Sequence, residues 1–507
     1  MAPRLYFPLL ISSLLFLWVL VKTWKQYRTE SARSKLPPGP WKLPIVGHLH
    51  HLLGLPHHCL RDLARNHGSL MHLQLGRIST VIVSSAEVAK QVMKTNDLLF
   101  VDRFVIFSAK IMTYKCKDMI FAPYGDYWRQ MRKICILELL SAKRVQSFWS
   151  LRNEEVSNLL QSISFMAGSK VNISERFYSL TGDIISRAAF GKKCKDNPSF
   201  MLAMQEAIKT GGGFDIADLF PSLKFLHMLN GTKSKLERIH CKVDKILNDI
   251  IEEHKEHWKE TNTVKDDVED LVDVLLRLQE SGDLDFPITT ENIKAVILDI
   301  FTAGSDTTST ALEWALSEMV RHPRVMKKAQ EEIRRVFNGK NEVHQKDLDE
   351  LNYLKSVIKE ALRLHPPAPL IPPRECKETC QIDEYEIPIK TKVIINVWAI
   401  GRDPKHWKDA ETFNPERFDV ISTDYKGNSF EYIPFGAGRR MCPGILFAMA
   451  NIELPLAQLL YHFDWNLPNG MIPEELDMTE EFGATVRRKP DLYLIPTPYC
   501  PEIEMVN

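Results

Sequence analysis

The stretch FGAGRRMCPG, from Phe435 to Gly444, decides the fold of this 507-residue chain. An apolar-periodic run of good helix formers follows it from 445 to 463, and Pro443 suits the first position of a helix. We therefore expect Cys442 to lie at a helix N-terminus. There the free N–H groups and the positive end of the helix macrodipole lower the pKa of a thiol, which favours a metal-binding thiolate.

The other residues of this stretch fit a haem group whose iron is bound by the sulfur of Cys442. A cysteine ligand adapts haem iron for O–O cleavage. Gly438 and Gly444 let the backbone approach a flat macrocycle, Phe435 can shield the sulfur from water, and Arg440 can pair with a haem propionate. A glycine-rich turn with an incidentally buried cysteine would explain an isolated Cys-Pro-Gly, but here five positions agree.

This stretch resembles the haem-binding signature of the cytochrome P450 superfamily. The resemblance covers essentially the whole chain after its first 35 residues and is nearest to plant microsomal members of specialised metabolism. It implies a mostly α fold with a small β subdomain, haem b as cofactor, and NADPH electrons delivered by a separate NADPH–cytochrome P450 reductase. The chain agrees, because no glycine-rich dinucleotide fingerprint follows a predicted strand.

The composition allows a large core and gives no sign of a nucleic-acid partner. The formal net charge is +0 and 44% of the residues are hydrophobic. No internal repeat or low-complexity linker is present, which favours one large domain over several. The nine cysteines are scattered and odd in number, so we expect a reducing compartment rather than a disulfide scaffold.

Residues 1–35 predict a membrane anchor with a basic flank. Leu5 to Val21 carries no charge and would span roughly 25 Å as a helix, which suits a thin bilayer such as the endoplasmic reticulum. The basic residues that follow outnumber Arg4, so the positive-inside rule places the downstream chain in the cytosol. A cleaved signal peptide is the alternative, but no small-residue cleavage site follows. We expect a single-pass protein of the endoplasmic reticulum membrane with a cytosolic catalytic domain.

After the anchor, residues 36–40 form a proline-rich hinge, because prolines hold the backbone extended and stop a helix. The haem domain then runs from 41 to 507. Within it, Leu70–Leu75 and Ser79–Val83 alternate around a Gly-Arg turn and predict a hairpin. Val393–Ala399 predicts a buried strand. These β elements flank a mostly helical body.

A helix of about 30 residues is predicted from Thr290 to Arg321. Its middle is poor in helix formers, a local conflict that often marks function, and Ala303 and Gly304 would leave room for a ligand. By resemblance this is the superfamily's oxygen-activation motif, in which Thr307 and Asp306 would be catalytic and manage protons through a water relay. A structural helix whose hydroxyls bond back to the backbone is the alternative.

Trp128 and Arg132 lie four residues apart on a predicted helix, where both can donate to one carboxylate. A half-buried tryptophan packed on an arginine stem is the alternative. The family uses this pair to hold haem propionates, and the resemblance adds Arg374 to the same task.

Glu360 and Arg363 share a helix face and would, alone, be an ordinary surface ion pair. The resemblance joins them to Arg417 in a buried triad that supports folding around haem rather than chemistry.

The family's substrate-contact regions, carried over by position, give an apolar set without a convergent cation. Its members are Phe104, Ile106, Phe107, Met112, Ile300, Ala303, Leu370, Ile371, Ala484 and Val486. Apolar pockets bind lipophilic ligands, so we expect a neutral lipophilic substrate. A plant terpenoid is favoured, with an alkaloid or a phenolic as the alternative.

Three functions remain open. The first is a membrane-anchored haem-thiolate monooxygenase that inserts one oxygen atom of O2 into a lipophilic small molecule. The second is a haem-thiolate isomerase or dehydratase that needs no reductase. The intact region around Thr307 is evidence against this second function. The third is a haem-binding scaffold that positions other enzymes at the membrane, recognisable by haem binding without substrate-dependent turnover.

Overall fold

The computed structural model describes residues 35–192, 197–210, 216–221, 231–261, 269–282, 284, 286–338, 340 and 342–499. The predicted anchor at Leu5 to Val21 lies outside the described residues. Within the described ranges, no helix combines the length and apolar character that crossing a bilayer requires.

Helices form most of the described structure. They are α1 Pro56–His67, α2 Ala86–Lys90, α3 Phe107–Met112, α4 Asp126–Ile134, α5 Ala142–Ser147, α6 Trp149–Ser164, α7 Ile173–Phe190, α8 Asn197–Thr210, α9 Ile216–Leu219, α10 Thr232–Thr261, α11 Leu271–Ser281, α12 Thr290–Arg321, α13 Pro323–Phe337, α14 Gln345–Asp349, α15 Asn352–Leu364, α16 Val397–Ile400, α17 Arg417–Val420 and α18 Ile445–His462.

The strands are short and belong to small sheets. They are β1 Leu70–Leu75, β2 Ile78–Val83, β3 Asp102–Arg103, β4 Val171–Asn172, β5 Arg374–Glu375, β6 Cys380–Ile382, β7 Tyr385–Ile387, β8 Lys392–Ile395, β9 Phe463–Asn466, β10 Glu480–Glu481, β11 Arg487–Arg488 and β12 Tyr493–Pro498. A mostly α fold with a small β part is therefore confirmed.

Helix α12 is the central element of the helical body. It runs from Thr290 to Arg321 as predicted, and the Thr289 side chain caps it by accepting from the Asn292 N–H. It packs against α7, α15 and α18, and most of its residues are buried. A helix apolar on nearly all sides is a core helix, so its polar middle residues lie inside the protein.

The largest sheet has the strand order β1-β2-β8-β5-β3. The predicted hairpin is confirmed as β1 and β2, which pair antiparallel with Leu75 opposite Ile78. The predicted strand at Val393–Ala399 is only half right. Strand β8 ends at Ile395, and the Asn396 side chain then accepts from the Ala399 N–H and starts helix α16. An N-cap side chain thus overrides the apolar strand pattern.

The structure brings Glu360, Arg363 and Arg417 together in a buried cluster. The Glu360 carboxylate accepts from Arg363 Nε at 2.7 Å and from Arg417 Nε at 2.9 Å. Arg363 also donates to the carbonyls of Gly401 and Ala410 at 2.6 and 2.7 Å. The cluster fastens α15 to the irregular segment that leads towards Cys442. Removing one member would leave buried charge unpaired, a change that costs about 3–5 kcal/mol in other proteins.

Candidate active site

A cavity of about 1490 Å³, solvent at its mouth included, lies between α12 and α18. Seven of the eight residues predicted to bind the cofactor line it, and Gly438 does not. The seven are Trp128, Arg132, Arg374, Phe435, Arg440, Cys442 and Gly444. Residues far apart in the sequence therefore face one space.

Cys442 lies immediately before α18, as predicted, but Pro443 is not the first residue of that helix. The helix begins at Ile445 and Gly444 is its N-cap. The Cys442 N–H donates to the Phe435 carbonyl at 3.0 Å and closes the intervening stretch into a loop. The loop and the helix start together fix the sulfur at the cavity wall.

Burial raises the pKa of the Cys442 thiol, which corrects the expectation drawn from its helix position. The Gly444 N–H and the positive charge of Arg132 act in the opposite direction but are weaker than desolvation. The helix N-terminus therefore does not produce a thiolate by itself. A bound metal ion would, because coordination deprotonates a thiol outright.

Glycine is required at position 438 for a reason other than the expected approach of the backbone to a macrocycle. Its φ is +70°, and a Cβ there would lie 2.0 Å from the Met93 carbonyl oxygen. The Arg439 N–H next to it donates to Asp97 at 2.9 Å. Gly438 thus allows the loop to pack on the 93–97 segment instead of on a macrocycle.

Four buried or half-buried arginines converge on the cavity: Arg103, Arg132, Arg374 and Arg440. Arg103 and Arg374 are direct partners across the antiparallel pair of β3 and β5. Like charges directly opposite each other destabilise a sheet. Burial is the largest cause of the lowered pKa of Arg103, and the positive charges of the other three arginines add to it.

This excess of positive charge fits a bound dianion. Of the four arginines, Arg374 alone forms an ion pair within the described residues, with Asp97 at 2.7 Å. The Nε atoms of Arg103 and Arg374 are buried and have no hydrogen-bond partner there. Haem carries two propionates, and most of the rest of the wall, including Ile300, Ile371 and Phe435, is apolar, although Asp299, Thr307 and Thr308 also line it. The residues present therefore fit haem.

The other cavity donors already bind backbone carbonyls, so their contribution is partly structural. Trp128 Nε1 donates to the Met119 carbonyl at 2.9 Å. Arg440 donates to the carbonyls of Val101 and Ala122 at 2.9 and 2.6 Å. These bonds hold the segment after β3 against the cavity.

Arg132 and Arg440 also stack on Trp128, with guanidinium carbons 5.4 and 4.4 Å from the ring centroid. Arg132 donates to the Met441 carbonyl at 2.6 Å, beside Cys442. The packing of tryptophan on an arginine stem, considered above as the alternative for this pair, is present together with the cavity position.

On α12, Ala303 and Thr307 face the cavity one turn apart. Thr307 Oγ1 donates back to the Ala303 carbonyl at 2.5 Å, while the hydroxyl of Thr308, also at the wall, is buried without a partner in the described structure. Gly304 serves packing, since a Cβ there would lie 2.8 Å from Ile185 Cδ1 of α7. The space beside Cys442 therefore depends on Ala303 and Thr307.

Asp306 does not line the cavity, although the adjacent Thr307 does. Its Oδ2 accepts a hydrogen bond from the Thr485 hydroxyl, and Asp306 is buried. The two residues predicted to manage protons thus face different sides of α12, as adjacent helical residues must.

Three of the ten predicted substrate contacts line the cavity: Ile300, Ala303 and Ile371. The other seven do not: Phe104, Ile106, Phe107, Met112, Leu370, Ala484 and Val486. Leu370 packs against the core beneath the large sheet. The cavity also contains the convergent arginines that the apolar set lacked, and its α12 side combines the apolar Ile300, Ala303 and Ala311 with polar residues that include Asp299 and Thr307.

A buried pair of carboxyl groups, Asp118 and Asp299, lies beside this wall. Asp299 Oδ2 accepts from the Met119 N–H at 2.6 Å, and Asp118 accepts from the Phe121 N–H at 3.0 Å. Burial raises both pKa values, that of Asp118 to about 6, and repulsion between the two carboxylates raises that of Asp299 further. Each carboxyl group therefore keeps its proton to a higher pH than an ordinary aspartate, and the bond from the Met119 N–H to Asp299 ties the 118–122 segment to α12.

Sequence reasoning missed Arg103, Asp299 and Thr485 for different reasons. Asp299 interrupts the apolar run of α12 and could have been found as an acid in a core helix. Arg103 becomes notable only through its strand partner Arg374, and Thr485 only through its contact with Asp306. Both contacts join residues far apart in the chain, so no pattern of neighbouring residues in the sequence indicates them.

Comparisons with known proteins agree with this site. The sequence model of the family described as Cytochrome P450 matches residues 37–495. Desmethyl-deoxy-podophyllotoxin synthase of Sinopodophyllum hexandrum is 60% identical over 497 residues, 97% of each chain. Premnaspirodiene oxygenase of Hyoscyamus muticus is 53% identical over 500 residues, 98% of this chain and 99% of that protein.

A solved structure shares the fold. The zebra fish cytochrome P450 structure with progesterone superimposes with a TM-score of 0.75 over 88% of this chain and 99% of that chain. The sequence identity is 24%, so this likeness concerns the fold alone.

The raised pKa of the buried Asp118 predicts a pH-dependent effect of Asp118→Asn. In the folded wild type, the Asp118 carboxyl group keeps its proton up to about pH 6. In the unfolded chain the same group loses its proton near its ordinary pKa of 3.8. The wild type therefore loses stability as the pH rises through about 6, whereas asparagine does not titrate. Relative to wild type, the free energy of unfolding of the variant should rise by roughly 1–3 kcal/mol between about pH 4 and pH 8.

Urea unfolding across this pH range measures the difference. Asp126→Asn is the control, because Asp126 is largely exposed and pairs with Arg129 on the surface. Its difference from wild type should change little with pH. A flat profile for Asp118→Asn would contradict the raised pKa of Asp118.

Proposed function

Because this chain belongs to the cytochrome P450 family, whose members are haem-binding oxidoreductases, we propose that it is a haem-thiolate monooxygenase. It inserts one oxygen atom of O2 into a lipophilic small molecule, using NADPH electrons from a separate NADPH–cytochrome P450 reductase. The observation that carries the proposal is the placement of the Cys442 sulfur and four arginine side chains around one cavity.

In this proposal the residues around the cavity would hold the cofactor. Cys442 would be the ligand of the haem iron, and Arg103, Arg132 and Arg374 would supply the charge that neutralises the propionates. When bound, haem supplies the activation of O2. The apolar wall excludes water from the reacting centre.

Thr307 is the residue proposed to move protons at the reacting centre. Its hydroxyl lies at the wall between the cavity and the α12 backbone, where it can exchange its bond to the Ala303 carbonyl for a bond to a water molecule. A hydroxyl relays a proton without keeping a charge in an apolar space. Asp306 is the proposed acid behind it.

A neutral, lipophilic substrate is proposed, with a terpenoid as the favoured skeleton. The α12 side of the cavity is apolar through Ile300, Ala303 and Ala311, and the arginines are taken up by the cofactor. Premnaspirodiene oxygenase, named for a hydrocarbon, supports this choice. Desmethyl-deoxy-podophyllotoxin synthase keeps a phenolic skeleton as the alternative. Tight binding of an anionic ligand, but not of neutral ones, in a spectral titration would contradict the proposal.

We further propose that the protein is a single-pass protein of the endoplasmic reticulum membrane with its haem domain in the cytosol. Three apolar side chains near the proline-rich hinge support this: Trp41, Ile45 and Leu53 are 64%, 71% and 89% exposed. Exposed apolar residues grouped in this way are typical of surfaces that meet a membrane or a partner.

Replacing Thr307 by Ala should uncouple electron use from product formation. NADPH consumption with reductase and substrate continues, while product per NADPH falls by roughly tenfold or more, because the proton relay is lost. Thr302→Ala is the matched control, since Thr302 lies on the same helix but outside the cavity wall.

Unchanged coupling in Thr307→Ala would show that the assigned role is wrong. Turnover of substrate by the wild type without any reductase would instead support an isomerase or dehydratase. Haem binding with no substrate-dependent turnover by any reductase would support the scaffold function.

The membrane proposal predicts that the full chain stays in the microsomal pellet after alkaline carbonate washing, and that protease added outside sealed vesicles digests the haem domain. A variant without residues 1–35 should be released at least in part, because exposed apolar side chains alone bind a bilayer weakly. Release of the full chain by carbonate, or protection of the haem domain from protease, would contradict the proposal.

A further inference from the structure

The segment 480–488, which contains β10 and β11, is fastened along one face of α12. Trp314 Nε1 donates to the Val486 carbonyl at 3.1 Å, and Arg488 donates to the Ser317 hydroxyl at 2.6 Å. The bond from Thr485 to Asp306 is the contact of this face that lies nearest the cavity. Positions 306, 314 and 317 fall on one side of a helix, so the segment follows that side.

The Thr485 bond holds the Asp306 carboxylate at the edge of the cavity-lining face of α12 and outside the cavity wall. Ala303, Thr307 and Thr308 line the cavity wall, whereas Asp306 does not. Asp306 is 8% exposed, which leaves little water to satisfy its carboxylate. The hydroxyl of Thr485 therefore helps to fix the orientation of this acid, since a buried carboxylate needs hydrogen-bond donors.

Asp306 also lies near a surface ion pair, because Thr485, which donates to it, precedes Arg487 by two residues. Arg487 binds Glu481 through Nε at 2.8 Å and through a second nitrogen at 2.6 Å. The side chains of Arg487 and Glu481 are 36% and 46% exposed. Besides Glu481, the negative charge of Asp306 helps to raise the pKa of Arg487, and besides burial it helps to raise the pKa of Tyr178 of α7.

We propose that Thr485 is a positioning residue for proton delivery in the monooxygenase reaction, and this inference rests on the proposed function. The Thr485 hydroxyl holds the Asp306 carboxylate beside the Arg487–Glu481 pair. There the carboxylate takes a proton from a hydronium ion in surface water, which leaves H2O, and becomes a carboxyl group. Rotation of the Asp306 side chain then turns the proton towards the cavity, where it passes through water to Thr307 and the carboxylate is restored.

Thr485 thus affects the reaction through Asp306 and does not contact the substrate. If Thr485 acted by touching substrate, its replacement would change substrate affinity and the product. If it acts through Asp306, its replacement changes proton transfer and leaves affinity alone. These two effects are separable in one set of variants.

The test compares Thr485→Val, which keeps the shape and removes the hydroxyl, with Thr485→Ser, which keeps the hydroxyl. In the full chain with reductase, Thr485→Val should lower kcat by roughly three- to tenfold with KM unchanged and should increase the solvent isotope effect on kcat, because proton transfer becomes more rate-limiting. Thr485→Ser should restore both. Thr479→Val is the control, since Thr479 is an exposed residue of the neighbouring segment.

A second measurement tests the contact without turnover. Amide hydrogen exchange in residues 483–488 should be several-fold faster in Thr485→Val than in wild type, and Thr485→Val should add little in an Asp306→Asn background. Additive effects of the two substitutions would show that the contact does not hold this segment and would overturn the proposal.

Failure of this inference is distinguishable from failure of the proposed function. A wild type without reductase-dependent turnover would overturn both the monooxygenase function and the role of Thr485. An active wild type whose solvent isotope effect is unchanged in Thr485→Val would overturn the role of Thr485 alone. A changed KM or product with an unchanged isotope effect would make Thr485 a substrate contact.

Discussion

The structure depends on a concentration of positive charge around one cavity. Arg103 and Arg374 lie opposite each other on adjacent strands, and Arg132 and Arg440 approach the same Trp128 ring. Burying such a group of guanidinium ions is costly unless an anion joins them. We therefore expect bound haem to stabilise the fold, because its propionates would add to the partial compensation that Asp97 gives Arg374.

The sequence predicted well those features that follow from a local pattern. The bounds of α12, the β1–β2 hairpin and the position of Cys442 before a helix are each encoded by consecutive residues. The resemblance carried the assignment of Arg374 and of the cluster around Glu360, residues whose partners lie far along the chain. The Asn396 cap that cuts short the predicted strand needed the three-dimensional geometry, as did the packing reasons for Gly438 and Gly304.

The remaining differences between the predicted and the observed site have one physical cause. The burial of a side chain and the direction in which it points depend on the tertiary structure and not on the local sequence. Desolvation outweighs the helix N-terminus at Cys442, and the pKa of the thiol therefore rises instead of falling. Seven predicted substrate contacts lie off the cavity because positional transfer fixes a segment but not the direction of a side chain. Sequence spacing did predict that Asp306 and Thr307 would not share a helix face, but the contact between Asp306 and Thr485 required the structure.

The reduced, carbon monoxide-bound difference spectrum of the membrane fraction, recorded for the wild type and for Cys442→Ser, tests the central claim most directly. Cysteine ligation at Cys442 predicts a red-shifted, thiolate-type Soret band in the wild type that is lost in the variant. A normal imidazole-type band, a thiolate-type band that survives the substitution, or the absence of haem from the wild type would contradict the assignment of Cys442 as the iron ligand.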